Sequence, residues 1–381
     1  MPQVQPFQRS PQDQQAFDRA KVVLHQHDTS VDPANGVGSM RADLVLEGGG
    51  VRGIGLVGAM LVLDEAGYDF PRIAGTSSGA IVASVAVALR QAGRSLTGLV
   101  DYLGTVDYLR FEDKSLIRRL TGELGSAAHL LFDMGLYTGD YLAEWLSPVL
   151  ADLGITRFGQ LAIPAGEDPG ASIPDGERYR LVVFASDITR RTLLRLPWDY
   201  PIYGLPPDDQ SIVAAVRASM SIPFFFEPVR MRTRPSTSTE YGDWPGGMVT
   251  LVDGGMLSNF PIQCFDRDDQ RPPRWPTFGI KLSARSVEMG PDRPSGNTVG
   301  EAIDCLRTMI SEWDRYHLDA VTAGSTVFVD SGTITATDFA LTAQDQQQLF
   351  DRGCQAATQF LIARAAAVGG AGPPPGTSGK G

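Results

Sequence analysis

Two glycine-rich turns, separated by one helix and one strand, constrain the fold of this 381-residue chain more than any other feature. The first turn covers residues 48–53, between a short apolar run and a helical pattern at 54–66. The second covers residues 75–79, after a predicted strand at 72–74 and before a helical pattern at 78–91. Because strands and helices alternate here, we expect an α/β fold with a mostly parallel sheet and helices on both of its faces.

The rest of the chain continues this alternation and shows no linker that divides it. Further strands are predicted at 179–185, 192–196, 249–252, 277–282 and 326–329, and further helices at 139–150, 209–219, 299–322 and 343–367. We therefore expect one main domain over residues 41–330, with a helical segment at 331–368 packed on it. Residues 1–40 are predicted to form a helical appendage, and the Gly- and Pro-rich residues 369–381 a disordered tail.

The composition narrows the class of partner. Acidic residues outnumber basic ones and give a formal charge of -11, so we expect no nucleic-acid partner, which would call for a basic surface. The three cysteines form no CxxC pair, and no metal site is predicted from them.

The sequence also bears on location. The longest apolar run, at 80–89, is much shorter than the roughly 20 residues that span a bilayer. The polar start of the chain lacks the apolar core of a secretion signal. We therefore expect a cytoplasmic protein without a signal peptide or transmembrane segment, and peripheral contact with a membrane is left open.

The first glycine turn is suited to bind a negative charge. It consists of Gly48, Gly49, Gly50, Val51, Arg52 and Gly53. Glycines allow a ligand to approach the backbone closely, and the helix behind the turn points its N-terminal amides towards it. The same GxGxxG pattern occurs in dinucleotide-binding folds, where an acidic residue ends the next strand. Here the next strand runs into the second glycine turn instead, which disfavours that alternative.

The second turn reads Gly75, Thr76, Ser77, Ser78 and Gly79, a G-x-S-x-G pattern between a strand and a helix. In this context the small flanking residues permit a tight turn that projects the central serine next to the positive end of the helix. Ser77 is therefore a candidate nucleophile. The alternative is a Gly/Ser-rich turn that only joins the strand to the helix.

A third motif, Asp253-Gly254-Gly255, follows the strand predicted at 249–252. Parallel α/β sheets place their sites at the carboxyl ends of strands, and the glycines leave room for a hydroxyl group to approach the carboxylate. Taken alone, an Asp-Gly turn without a catalytic role explains the same residues. Asp253 is thus a candidate base whose role depends on the other motifs.

The order of the three motifs is more specific than any one of them. Together, GGGVRG, GTSSG and DGG resemble the patatin-like phospholipase family. The same family is matched by the segments SDIT at 186–189, ASMSIPFFFEP at 218–228 and DGGMLSNFPI at 253–262. The resemblance extends from about residue 42 to about residue 329, and it implies a three-layer α/β/α sandwich around a mostly parallel central sheet.

This resemblance implies a serine hydrolase with a Ser-Asp dyad, in which Ser77 is the nucleophile and Asp253 the base. The oxyanion hole that it implies comprises Gly48, Gly49, Gly50, Arg52 and Gly53. Arg52 matches the family's usual arginine in this loop, either in a direct role or by packing the turn. The implied substrate is a membrane phospholipid or another lipid ester, and no cofactor is implied.

Two expectations about the site follow. An aspartate with its ordinary pKa of about 3.9 is a weak base, so we expect burial to raise the pKa of Asp253. A Cβ at Gly49 is expected to intrude on the site, because the backbone amide of that residue would face the oxyanion.

Two other functions are left open by the sequence. An α/β-hydrolase triad would use Ser77, Asp253 and His317 in that order. However, His317 lies in a predicted helix, whereas a triad histidine normally lies on a loop, and His129 precedes the aspartate. A catalytically silent lipid-binding or regulatory module on the same fold is the second alternative, which the presence of all three motifs disfavours. No motif indicates an oligomeric state.

One segment offers a hypothesis for contact with a membrane. Three phenylalanines at 224–226 precede Arg230, Arg232 and Arg234, which a strand would place on one face. Aromatic bulk beside a basic face is typical of interfacial binding to anionic lipid. The favoured alternative is that the phenylalanines line an acyl pocket or the core and that the arginines are simply solvated.

Overall fold

The computed structural model describes residues 4–31, 38–112, 137–165, 167, 173–238, 242–267, 273, 275–282, 324–336 and 338–370. Its longer helices are α1 (Pro11–His27), α2 (Gly53–Glu65), α3 (Ser78–Gln91), α4 (Gly98–Leu103), α5 (Asp140–Asp152), α6 (Ile212–Ser219) and α7 (Ala343–Gly370). Its strands are β1 (Ser30–Val31), β2 (Gly38–Ser39), β3 (Asp43–Leu46), β4 (Ile73–Thr76), β5 (Leu181–Asp187), β6 (Thr192–Leu196), β7 (Val229–Thr233), β8 (Gly247–Asp253), β9 (Thr277–Lys281) and β10 (Thr326–Phe328).

A mixed sheet forms the centre of the molecule. Strands β10, β9, β3, β4 and β5 lie side by side in that order and run parallel. Strands β6 and β8 each pair antiparallel with β5, and β7 pairs antiparallel with β8. Helices pack against this sheet, and the predicted α/β/α sandwich around a mostly parallel sheet is confirmed.

Strands β4 and β8 share one edge of β5. On that edge Phe184 pairs with Thr76 of β4, and the next residue, Ala185, pairs with Asp253 of β8. Strand β6 pairs with the opposite edge of β5, at positions that include Phe184 and Ala185. Strands β4 and β8 therefore share the remaining edge and lie end to end along it. The carboxyl end of β4 therefore meets the carboxyl end of β8 in the middle of the sheet.

Apolar sequence explains the close packing around this point. All residues of β3 and β5 are buried, and α2 is apolar on nearly every side. Helix α2 needs this composition because it contacts both β9 and α7. A Cβ on Gly58 of α2 would lie 2.2 Å from the carbonyl oxygen of Phe350, so glycine permits the close approach of α7.

Most of the predicted elements that fall in the described ranges are present. The helices predicted at 54–66, 78–91 and 139–150 correspond to α2, α3 and α5, whereas the one predicted at 299–322 lies outside the described residues. The tail was predicted to begin at residue 369, but α7 continues through Gly370. The alanines that precede this end of the helix favour its continuation. No helix within the described ranges is both long and apolar enough to cross a bilayer.

The N-terminal helix packs on the main body. Helix α1 contacts α7, and its predicted apolar stripe is buried, with Phe17 and Leu24 both 0% exposed. An ion pair joins Asp28, which follows α1, to Arg364 of α7.

Candidate active site

Ser77 occupies a sharp turn between β4 and α3. Its backbone angles, φ 51° and ψ -123°, lie in a region that residues with a side chain seldom adopt. A Cβ on Gly75 would lie 2.3 Å from the carbonyl oxygen of Gly79, and one on Gly79 would lie 2.4 Å from that of Leu46. The G-x-S-x-G residues therefore fold as the strained strand-to-helix turn that the pattern predicts.

Asp253 ends β8 with a buried side chain that is only partly hydrogen-bonded. Its Oδ1 accepts a 2.7 Å hydrogen bond from the amide of Gly255, whereas Oδ2 has no hydrogen-bond partner of normal geometry among the described residues. Burial raises the pKa of Asp253 to about 7, and the Gly255 amide and the Ser77 hydroxyl act in the opposite direction. The direction of this shift agrees with the expectation from the sequence.

A short segment at the end of α6 holds the backbone of both residues. The amide of Ser77 donates a 2.9 Å hydrogen bond to Oγ of Ser219. The amide of Asp253 donates a 2.8 Å hydrogen bond to the carbonyl oxygen of Ser221. With the pairing of β4 and β8 on one edge of β5, these bonds bring Ser77 and Asp253 to the same point of the fold.

Two amides of the first glycine turn have partners within the protein. The amide of Gly48 donates to the carbonyl oxygen of Asn259 at 3.1 Å. The amide of Gly49 donates to Oγ of Ser78 at 2.9 Å. Neither amide can therefore donate to an oxyanion without breaking one of these bonds.

The remaining residues of the turn leave one free amide. The amides of Arg52 and Gly53 donate back to the carbonyl oxygens of Gly49 and Gly50. The Gly50 amide meets no acceptor in the part of the chain that is described. Gly50 has φ 56°, and a Cβ there would lie 1.9 Å from the carbonyl oxygen of Ala336, so only glycine fits. Of the predicted oxyanion-hole residues, Gly50 is thus the one whose amide has no acceptor among the described residues.

The side chain of Arg52 holds the peptide group that carries this free amide. Its Nε donates to the carbonyl oxygen of Gly49 at 3.1 Å, and its Nη1 to that of Leu282 at 3.2 Å. In a planar trans peptide the C=O and the following N–H point in opposite directions, so a fixed Gly49 carbonyl fixes the direction of the Gly50 amide. These contacts favour the packing role of Arg52 over a direct one.

A side chain at position 49 would not reach the site, and that expectation is wrong. Its Cβ would meet Cδ1 of Leu282 at 2.3 Å, and its three nearest atoms belong to Leu282 and Arg52, not to Ser77. The glycine that faces the serine is Gly48, whose Cβ would lie 3.1 Å from Cβ of Ser77.

Asn259 joins the first glycine turn to the DGG motif. Its Nδ2 donates to the carbonyl oxygen of Gly48 at 2.8 Å, and a Cβ on Gly255 would lie 2.7 Å from its Oδ1. A Cβ on Gly254 would lie 2.5 Å from the carbonyl oxygen of Phe184. Close packing therefore explains both glycines of the motif.

The sequence assigned no role to Ser78, Ser219 or Asn259, although each hydrogen-bonds a backbone group at this site. The signal was present, since Ser219 and Asn259 lie in the segments ASMSIPFFFEP and DGGMLSNFPI. A single sequence, however, does not indicate which backbone group a polar side chain will meet.

An apolar cavity adjoins Ser77. It is lined by Gly50, Val51, Gly53, Ile54, Ser77, Ser78, Ile81, Val82, Leu103, Val106, Tyr108, Phe111, Trp145, Met220, Ile222, Phe226, Ala336 and Phe339. Phe226 is 2% exposed, as the favoured interpretation of the phenylalanine run predicts. No histidine is among these lining residues, and His129 and His317 lie outside the described ranges. An apolar cavity with a serine at one side suits an acyl chain.

Comparisons with known proteins identify the family to which this chain belongs. The family model described as patatin-like phospholipase matches residues 44–266. YqhO of Bacillus subtilis, an uncharacterized protein, is 34% identical over 325 residues, which cover 84% of this chain and 98% of YqhO. The uncharacterized NTE family protein Rv2565 of Mycobacterium tuberculosis is 28% identical over 262 residues, covering 67% of this chain and 34% of the relative. This chain thus spans about a third of that relative's length.

Among solved structures, VipD from Legionella pneumophila aligns with a TM-score of 0.44 and 16% identity. The alignment covers 88% of this chain and 70% of VipD.

Proposed function

Because this chain belongs to the patatin-like phospholipase family, we propose that it hydrolyses lipid esters through a dyad of Ser77 and Asp253. The substrate class is a membrane phospholipid or another lipid with an ester-linked acyl chain. The observation that carries the proposal is the buried carboxylate of Asp253 next to Ser77, whose oxygen Oδ2 has no hydrogen-bond partner of normal geometry among the described residues.

Activation of the serine is the first requirement. A serine hydroxyl is a weak nucleophile until a nearby base takes its proton. Asp253 has the pKa of a base that works near neutral pH, because burial raises it to about 7. Since Oδ1 is held by Gly255, Oδ2 is the oxygen that accepts the proton. Such catalytic hydrogen bonds commonly tighten only when substrate is bound.

Attack of Ser77 on the ester carbonyl produces an oxyanion that needs a donor. The free amide of Gly50 serves as that donor, and it lines the same cavity as Ser77. One donor of this kind typically contributes about 3 kcal/mol to the transition state. The N-terminus of α3, which begins directly after Ser77, adds a favourable field at the same place.

The second half of the reaction releases the acyl chain. The alcohol or lysolipid leaves with the proton from Asp253, and an acyl-Ser77 ester remains with its chain in the apolar cavity. Asp253 then takes a proton from water, which attacks the acyl ester, and it returns this proton to Oγ of Ser77 as the bond to the acyl group breaks and the fatty acid leaves. Each step uses groups of this chain and water, without a metal or organic cofactor.

A fluorophosphonate probe with mass-spectrometric mapping tests this proposal. We expect a single adduct on Ser77 and slower labelling after Asp253→Asn, because the probe reports nucleophile activation without turnover. The absence of any adduct on folded protein would identify a silent module. An adduct that forms at the wild-type rate in Asp253→Asn would assign the base to another residue.

A further inference from the structure

The β7–β8 ladder extends beyond the carboxyl edge of the parallel strands. Strand β8 pairs with β5 only over its last residues, and residues 247–250 continue past the end of β5. The turn between β5 and β6 lies beside it, since the amide of Ile188 donates to the carbonyl oxygen of Thr250 at 3.0 Å. The β7–β8 pair and the β5–β6 turn therefore form a rim at the carboxyl ends of the parallel strands, where Ser77 lies.

One face of this rim presents arginines and apolar side chains together. The strand register pairs Arg230 with Thr250 and Arg232 with Met248, and directly paired residues of antiparallel strands project to the same face. Ile188 lies opposite Thr250 on the other side of β8, one position beyond the last pair of β5 and β8. We call these five residues the rim patch.

The exposure of the rim patch is unusual for this molecule. Large apolar side chains that are exposed in the described ranges are Val22, Leu109, Ile188 and Met248, so two of the four lie on the rim patch. Met248 is 49% exposed and Ile188 44%. Val249, between Met248 and Thr250 in β8, is 0% exposed, so the side chains of these three residues alternate between the outward face and the core.

The charge of the rim patch opposes that of the whole chain. Arg230 and Arg232 are both exposed, and neither forms an ion pair or a hydrogen bond with another described residue. The formal charge of the chain is -11, so a face with two unpaired arginines is a local exception. Unpaired cations beside exposed apolar groups are the combination that an anionic lipid surface binds.

We propose that the rim patch docks this protein on an anionic phospholipid surface. Met248 and Ile188 enter the boundary between headgroups and acyl chains, while the arginines stay at the level of the lipid phosphates. This orientation turns the edge of the sheet that carries Ser77 towards the lipid. The inference rests on the proposed function, because it describes how that site meets its substrate, but docking is measured without hydrolysis.

Vesicle co-sedimentation of Ser77→Ala protein tests the docking surface. Vesicles of phosphatidylcholine alone are compared with vesicles that also contain phosphatidylglycerol, at low and at physiological salt. We expect binding only to the anionic vesicles and weaker binding at the higher salt, because salt screens exposed charges. Adding Arg230→Gln and Arg232→Gln should weaken binding about 30-fold, as expected for two charges near an anionic surface.

A matched variant controls for net charge. Arg19→Gln with Arg94→Gln removes two exposed charges from α1 and from the turn after α3, and it should bind anionic vesicles as Ser77→Ala alone does. Met248→Ser should weaken binding to anionic vesicles at either salt concentration, because apolar insertion is not screened.

Three outcomes overturn the proposal. They are no binding to anionic vesicles, equal binding of the rim and control variants at low salt, and a rim variant that changes only the oligomeric state. The last outcome would mark the patch as a protein contact. With Ser77 restored, Arg230→Gln/Arg232→Gln should hydrolyse a soluble monomeric ester at the unmodified rate, so failure of the dyad and failure of docking are separate results.

Discussion

Nε of Arg52 donates a 3.1 Å hydrogen bond to the carbonyl oxygen of Gly49, the residue before the free amide of Gly50. The two groups belong to one planar peptide, so the arginine controls the direction of the amide without touching the substrate. Burial lowers the pKa of Arg52, whereas the charge of Glu47 raises it. An arginine keeps its proton in proteins. The side chain is therefore a charged positioning group behind the proposed oxyanion hole.

Replacement of this arginine should affect turnover more than binding. In Arg52→Met the Gly49 carbonyl loses its side-chain donor, and we expect kcat on a short ester to fall about 10- to 100-fold with KM little changed. Steady-state kinetics per folded molecule measures this. Arg364→Met, which removes a partly buried arginine remote from the turn, should lower stability but leave kcat unchanged. A rise in KM at constant kcat would place Arg52 in substrate binding instead.

Ser219 should support the strained backbone of Ser77. Ser219→Ala leaves the Ser77 amide without its acceptor, which costs about 1–3 kcal/mol of unfolding free energy and lets the nucleophile shift. We therefore expect lower kcat as well as a lower melting temperature. Ser84→Ala removes a similarly buried hydroxyl from α3 and should leave kcat unchanged. Equal kcat in the two variants would show that Ser219 stabilises the fold without positioning Ser77.

The raised pKa of Asp253 predicts opposite pH trends for rate and stability. The ionised carboxylate is the base, so kcat/KM should rise with pH and level off above about 7. The folded state holds this proton more tightly than the unfolded state. Protonation of Asp253 therefore adds its full contribution to the free energy of unfolding below pH about 4, and this contribution is lost as pH rises through about 7.

Asp253→Asn removes this titration and should make the protein more stable than wild type above pH 7, by on the order of 4 kcal/mol at most. Denaturant unfolding at pH 5 and pH 8 measures the difference. If Asp253→Asn lowered the free energy of unfolding by the same amount at both pH values, the ionised carboxylate would not carry the free-energy cost of burial that its raised pKa implies.

The apolar cavity should set the acceptable acyl length. Ile81 lines it one turn into α3, and Ile81→Trp should fill part of the space. We expect turnover of a long-chain ester to fall at least tenfold while that of an acetyl ester stays within about twofold. Ile81→Val serves as the control and should retain both activities. Equal loss on both esters would indicate a general distortion of α3.

The local sequence pattern was sufficient to predict the strands, but not the place where β4 and β8 meet. The apolar runs before Gly48 and Gly75 predict β3 and β4, because a buried strand must be apolar on both faces. That β8 meets β4 end to end depends on the partners of Phe184 and Ala185, which are tertiary choices. The adjacency of Ser77 and Asp253 was therefore inferred from family resemblance and not from periodicity.

The same limit applies to the site. The glycine turn was correctly predicted to lie beside Ser77, since glycines with a following helix predict a close backbone approach. Which amide is free depends on Ser78 and Asn259, whose side chain and backbone occupy the amides of Gly49 and Gly48. These contacts join residues distant in sequence, so the pattern GGGVRG alone does not distinguish Gly50 from its neighbours.

The dyad is tested most directly by kcat of three folded variants on a soluble p-nitrophenyl ester. Ser77→Ala and Asp253→Asn should each lose about 10⁴-fold or more, because nucleophile and base act as one unit, whereas His317→Ala should keep most of the activity. Circular dichroism establishes that each variant is folded. A folded His317→Ala protein as inactive as Ser77→Ala would contradict the dyad and assign the base function to a triad.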